Sequence, residues 1–270
     1  SDYMNKAVCV TSGGGDSICD GLMMLKRGYR VVFFNVDHGQ RAALGERLSC
    51  EAIVNWLKGK RYDCDLVLTK IGFLGDIGGS ALTEKEDRVP DGLEGTFGST
   101  IGKIFTPARN AVLLGLASSL AERIDAEFIT FGCNQSEIGY ADNTKDFTDA
   151  YTKVLEYATY HSHPKVISPE WEMDKVEIYK WSHDNGFGFI HGNLTWACDN
   201  SGFSVSDSTE LPTNVYHMKR EDMMGCGMCG CCRNRRVVYQ ILSRMYPRQG
   251  YTDCELYKHP DWFEETFMKE

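Results

Sequence analysis

Positive charge is in short supply in this 270-residue chain: 29 Lys and Arg face 38 Asp and Glu, for a formal net charge of −9. That balance argues against a protein coating long nucleic acid with its whole surface, but leaves room for a local basic pocket. Also missing are a bilayer-spanning apolar stretch, a signal-peptide pattern and a lipidation box. Together these absences point to a cytoplasmic protein with no membrane partner. The chain opens on Ser1 rather than Met, which reads as a trimmed N-terminus. Internal repeats and low-complexity tracts are absent too. What is abundant is cysteine. An odd count of 11 without a leader argues for reduced thiols rather than a disulfide framework. Cys226, Cys229, Cys231 and Cys232 crowd into 226–232, which points to metal.

Length suits one sizeable domain, or a domain with a small appendage. Strand-like apolar runs recur at 7–10, 30–36, 65–69, 127–131 and 165–168. Helical patterns fall between and after them, at 17–27, 41–58, 110–124, 146–160 and 174–185. The alternation predicts βαβ units: an α/β fold with a parallel sheet and helices on both faces. Ligands of such sheets sit at the carboxyl ends of the strands. The segments expected there are the glycine turn after the first strand, "DHGQR" (37–41) and "GCNQSEIGYADN" (132–143). Residues 75–108 form a long Gly-, Thr- and charge-rich loop of the kind that carries function. From Cys198 onward the strand–helix rhythm fades. The expected division is 6–190 as the main domain, 191–245 as a cysteine-bearing appendage and 246–270 as a C-terminal extension.

The first strand runs into "TSGGGDS", Thr11 to Ser17. Glycines let several backbone N–H groups converge, and the following helix aims its positive end at the same point. The result is an anion cradle. A Walker loop would need Lys where Asp16 stands, and the G-x-G-x-x-G spacing of a dinucleotide site is absent. A bare glycine turn with an Asp cap is the plain alternative. Further along, "TPARN" (106–110) places Arg109 and Asn110 at the start of a long helix, where Arg meets a phosphate or carboxylate bidentately. Glu137, Tyr140 and Asp142 offer carboxylate acceptors and an aromatic ring, or simply a solvated loop. The spacing C-x-x-C-x-x-C of Cys226, Cys229 and Cys232 suits a tetrahedral Zn²⁺ that needs one more ligand. An iron–sulfur site or clustered free thiols are the alternatives, and Cys231 competes as a ligand.

The loop S-G-G-x-D-S resembles that of the PP-loop ATP pyrophosphatases. With "GSALT" (79–83), "TPARN", "GYAD" (139–142) and "CGMCGCC" (226–232) in this order, the chain resembles the 7-cyano-7-deazaguanine synthase, or QueC, family from about Lys6 to about Arg236. The resemblance implies a PP-loop (Rossmann-like) domain with a small zinc-binding appendage. It implies ATP bound by Thr11, Ser12, Gly13, Gly14, Gly15, Asp16 and Ser17, with Asp16 placing Mg²⁺. Asp37, ending the second strand, is expected at the adenosine. Arg109, Asn110, Glu137, Tyr140, Asp142 and Arg235 are the expected substrate residues, with Asp16 and Arg109 catalytic. The family's fourth zinc thiolate lies upstream of the cluster, and "TWACDN" (195–200) offers Cys198. Four thiolates leave no open position, so the Zn²⁺ is structural.

The activity implied is ATP-dependent activation of the 7-carboxy-7-deazaguanine carboxylate for attack by ammonia, in a protein that is commonly a homodimer. The chain departs from relatives at "GYADN" and in an insertion at 200–225. These departures leave open an amine on a protein or other partner as the acceptor, with the insertion shaping the entrance. A nucleotide-binding regulator without catalysis is a second alternative. Lys175 and Glu177 echo the family's K-x-E-I, although an ordinary amphipathic helix explains them as well.

Overall fold

The computed structural model describes residues 5–77, 106–135, 140–199, 225 and 229–247. Five strands form one sheet: β1 (Lys6–Val10), β2 (Arg30–Asp37), β3 (Cys64–Lys70), β4 (Phe128–Phe131) and β5 (Lys165–Ile167). Their order is β3-β2-β1-β4-β5 and every pairing is parallel. The helices are α1 (Gly15–Lys26), α2 (Ala43–Gly59), α3 (Phe73–Asp76), α4 (Arg109–Ile124), α5 (Lys145–Ala158), α6 (Lys175–Asp184) and α7 (Gly230–Met245). A π-helical turn spans Ile190–Leu194.

Alternation along the central strands explains the two-sided core. Ala7, Cys9, Val31 and Phe33 join Ile18, Leu22, Ile53 and Leu57 of α1 and α2 on one face. Val8, Val10, Phe34 and Val36 join Leu114, Ala117, Ala121 and Leu155 of α4 and α5 on the other. Successive side chains of a strand point to opposite faces, so a strand covered by helices on both sides must be apolar throughout. That is why the strands read as unbroken apolar runs.

The chain builds outward from β1 through β2 to β3, then returns so that β4 lies on the other side of β1. This reversal leaves a crevice beyond the carboxyl ends of β1 and β4, the place where such sheets bind ligands. The expected α/β fold is therefore present, and each predicted strand and helix has its counterpart within about two residues at most boundaries.

The region after Cys198 does regain helical order: α7 covers Gly230–Met245 and buries Val238, Tyr239 and Leu242 against Cys19, Met23, Ile178 and Tyr179. Its apolar stripe is diluted by Arg233, Arg235, Arg236 and Arg244, which hid the period in the sequence. The described part of 191–245 thus shares core with α1 and α6. "GSALT", Glu137, Cys226 and the 200–224 part of the insertion lie outside the described residues, as does nearly all of the 246–270 extension.

Candidate functional site

A cavity of about 390 Å³ opens in the crevice. Thr11, Ser12, Gly14, Gly15, Asp16 and Ser17 line it from the glycine loop, and Arg109, Asn110, Tyr140 and Asp142 from the loops on the far side of β1. Residues near both ends of the chain's length therefore meet in one place, as the parallel topology requires.

The loop is built by its own side chains. Thr11 Oγ1 accepts the Gly13 N–H at 2.9 Å and lies 2.9 Å from Ser17 Oγ, while Ser12 Oγ accepts the Gly14 N–H at 3.3 Å. Gly13 sits at φ +73°, and a Cβ there would meet the Ser49 side chain at 2.7 Å, so only glycine fits without strain. Gly132, after β4, has a second steric reason: a Cβ would come 2.7 Å from the Ser17 backbone. The two strand ends can approach closely only because this side chain is missing. Helix α1 starts at Gly15, two residues earlier than its sequence pattern suggests, and carries Asp16 in its first turn. The N–H groups of a helix's first turn lack intrahelical acceptors, so they are available to an anion beside Gly14–Ser17.

Asp16 is held from two directions. Its Oδ2 accepts from Lys175 Nζ at 2.8 Å and from Asn134 Nδ2 at 3.1 Å. Lys175 opens α6, where Asp174 and Glu177 form a reciprocal capping box. The K-x-E-I echo thus separates into one residue of the cavity, Lys175, and one of the helix start, Glu177. Asn134 was not anticipated; its position immediately beyond β4, next to Gly132, was the available signal.

On the opposite loop, Arg109 Nε donates to Asn110 Oδ1 at 3.2 Å, and Asn110 Nδ2 donates to the Asp142 carbonyl at 2.9 Å. Asn110 therefore ties the "TPARN" and "GYAD" segments together. Asp37 and Arg235 are placed differently from expectation. The Asp37 carboxylate accepts the Gly39 N–H at 2.9 Å and pairs with Lys70 at 3.6 Å, and Asp37 does not line the cavity. Its neighbour His38 does line it, and burial, with Arg109 adding to it, pushes the imidazole down to about 4, so it is neutral at pH 7. Arg235 lines the cavity, but its guanidinium donates to the Thr195 carbonyl at 2.8 Å and to the Tyr239 hydroxyl.

Behind the glycine loop runs the segment that leads to the cysteines. Gly13 O accepts from Trp196 N at 2.8 Å and from Ser49 Oγ at 2.9 Å, and Gly15 O from the ring of His191 at 2.8 Å. Burial lowers His191 to about 4, which leaves it neutral, with Nε2–H as the donor to Gly15. Tyr239 of α7 donates from its hydroxyl to the His191 carbonyl at 2.7 Å. The Sγ atoms of Cys198, Cys229 and Cys232 are buried and lie within 4.8 Å of one another. Four sulfurs around a tetrahedral Zn²⁺ at its usual bond length are about 3.8 Å apart, so these three fit a metal with modest closing. Cys231 is exposed and outside the trio.

The family described as queuosine biosynthesis protein QueC matches residues 6–243. The chain belongs to the QueC family. The 7-cyano-7-deazaguanine synthase of Methanococcus aeolicus is 31% identical over 243 residues, covering 87% of this chain and 94% of the relative. That of Methanocaldococcus jannaschii is 32% identical with the same coverage. Among solved structures, a 4-thiouridine synthetase–RNA complex with bound ATP aligns with 22% identity and a TM-score of 0.43, over 69% of this chain and 42% of the other. A likeness that low adds nothing on RNA or on the site. Among the described residues no helix is long and apolar enough to cross a membrane.

Proposed function

We propose that this QueC-family chain uses ATP to activate the carboxylate of 7-carboxy-7-deazaguanine for attack by ammonia, as a 7-cyano-7-deazaguanine synthase does. One observation carries the reading. The anion-binding glycine loop, the Asp16–Lys175 pair and the Arg109, Tyr140 and Asp142 group line a single cavity whose volume suits a small ligand.

In this proposal the loop N–H groups and the start of α1 hold the phosphates. Asp16 and Lys175 sit beside them, and Mg²⁺ carried by ATP would be met by the Asp16 carboxylate. Mg²⁺ neutralises phosphate charge when bound. Arg109 faces the charge that develops as the carboxylate attacks phosphorus, a task for a fixed cation in a water-poor site. Activation is needed because a carboxylate oxygen leaves poorly, whereas AMP leaves readily. Tyr140 and Asp142 border the deazaguanine, and Arg235 serves the site by holding its wall. Cys198, Cys229 and Cys232, with Cys226, hold a structural Zn²⁺ that ties the segment ending at Cys198 to the start of α7. Pairing of two chains belongs to the same proposal and is read by light scattering.

The test is pyrophosphate release from ATP with and without 7-carboxy-7-deazaguanine, followed by mass spectrometry of the product with and without ammonia. Release that depends on the acid, with amide or nitrile appearing only with ammonia, is the expected result. Acid-independent hydrolysis, or no turnover by zinc-loaded protein, rejects the reading.

A further inference from the structure

Activation of a carboxylate leaves one chemical problem unsolved. At neutral pH ammonia is held almost wholly as ammonium, which has no lone pair to attack with. The nucleophile must lose a proton inside a site that also keeps water from the activated acyl group. We propose that Glu46 is the general base that deprotonates the nitrogen nucleophile; this inference rests on the ligase reading above.

Glu46 stands in the first turn of α2 and lines the same cavity as Asp16 and Arg109. Its Oε2 accepts from Gln40 Nε2 at 2.7 Å. Gln40 is itself fixed, donating to the Val36 carbonyl at 3.2 Å and accepting the His38 N–H at 2.8 Å. The carboxylate therefore has a fixed orientation, set by the turn that ends β2. It differs from Asp16, whose Oδ2 is taken by Lys175 and Asn134.

The groups around Glu46 are of both signs. Arg109 of α4 and the amides of Gln40 and Asn35 favour its charged form, whereas Asp199 opposes it. Burial dominates these and pushes the carboxyl up to about 7. The Cys50 thiol, one turn further along α2, is itself pushed up by burial and stays protonated. His38 lines the same cavity but is too weak a base at about 4. A base near the working pH both exists in the deprotonated form and holds the proton once taken.

The step balances as follows. Glu46 carboxylate takes one proton from ammonium and passes it to solvent. The freed nitrogen lone pair forms the C–N bond to the acyl carbon, and the C–O bond to AMP breaks with its electron pair leaving on AMP. The second proton leaves the nitrogen with the departing AMP phosphate, giving the neutral amide.

Glu46→Gln tests this, because the amide keeps an acceptor for Gln40 and removes only basicity. In zinc-loaded protein, ATP–pyrophosphate exchange dependent on the deazaguanine acid should stay within about twofold of the parent, while amide formation from ammonia at pH 7 falls about 100-fold. Hydroxylamine, already neutral at pH 7, should be accepted by the variant nearly as well as by the parent. The ammonia defect should shrink as pH rises toward the pKa of ammonium. Loss of exchange together with amide formation makes Glu46 a binding or packing residue, and equal defects with ammonia and hydroxylamine remove the base role; either overturns the inference alone. Absence of exchange in the parent instead rejects the ligase reading beneath it, and the inference falls with it.

Discussion

The two sides of the cavity are built in different ways. The glycine-loop side is contiguous: Thr11 to Ser17 follow one strand, and their own hydroxyls and backbone close the turn. The rear side is assembled from Trp196, Cys198, Cys231, Asn234 and Arg235, which come from two segments about thirty residues apart. Three buried thiols bring those segments together. The first side takes its shape from backbone geometry, and the second depends on what the sulfurs hold. Yet they touch, through Trp196 N on Gly13 O and His191 on Gly15 O. Failure of the rear side should therefore reach the loop, whereas damage within the loop should leave the rear side intact.

The largest effect is expected at the proposed zinc site. Cys229→Ser leaves one thiolate fewer in the cluster, and structural zinc binding is worth on the order of 10 kcal/mol, comparable with a domain's whole net stability. The variant should lose zinc, melt at a much lower temperature and bind ATP poorly, because 190–198 no longer braces Gly13 and Gly15. Elemental analysis, thermal melts and calorimetry read the three effects. Normal ATP affinity in zinc-free, folded protein would separate the two sides and reject the coupling.

Much of this was legible in sequence, and unevenly so. The sheet was readable because parallel strands buried on both faces give unbroken apolar runs such as 30–36. The glycine loop was readable because adjacent residues perform its task. Asn134 and Lys175 were harder, since their meeting at Asp16 depends on three separate crossovers to the sheet's carboxyl end. Asp37 reads two ways, because a strand-end carboxylate can cap its own turn as easily as face a ligand. Helix α7 was missed because arginines occupy buried positions in it: Arg233, Arg235 and Arg236 are all nearly covered. A hydrophobic period cannot reveal a helix that buries its charges.

Asp16→Ala breaks the loop side alone. It removes the proposed Mg²⁺ contact and an ion pair 18% exposed on the Asp16 side, but no core packing. ATP turnover should fall at least 100-fold with zinc content and melting temperature close to the parent's. Normal pyrophosphate release by the folded variant would sink the assignment of the loop.

A smaller effect sharpens the comparison within the cavity. Tyr140→Ala and Asp142→Ala should each weaken binding of the deazaguanine acid about tenfold, roughly the worth of one hydrogen bond to a charged group, and leave ATP affinity within twofold. Calorimetry with each ligand separately decides it. Equal losses for both ligands would mean that the segment only positions Asn110, through the Asp142 carbonyl.

The last effect concerns a pair that belongs to neither wall. Asp20 of α1 and Glu170 are both fully buried, joined by the Glu170 N–H donating to Asp20 Oδ1 at 3.2 Å. Asp20 Oδ2 and both Glu170 carboxylate oxygens have no hydrogen-bond partner among the described residues. Burial raises both carboxyls well above their ordinary range; Asp16 adds to both and Asp20 to Glu170, while the Glu170 N–H and Arg27 partly offset this for Asp20 and Lys175 for Glu170. The sign follows from proton counting. A carboxyl raised in the folded state holds its proton at pH values where the unfolded chain has released it, so folding is opposed increasingly as pH climbs from about 4 toward the raised value. On this account the protein is more stable near pH 5 than near pH 8. Glu170→Gln removes one carboxyl that must take up a proton on folding and keeps its shape, so it should raise stability by about 1–3 kcal/mol at pH 8 and by much less at pH 5. Denaturant melts at the two pH values measure the difference. A variant less stable than the parent at both would show that the Glu170 carboxylate is compensated in the folded protein, and that the buried pair is a support for the loop above it instead of a strain beneath it.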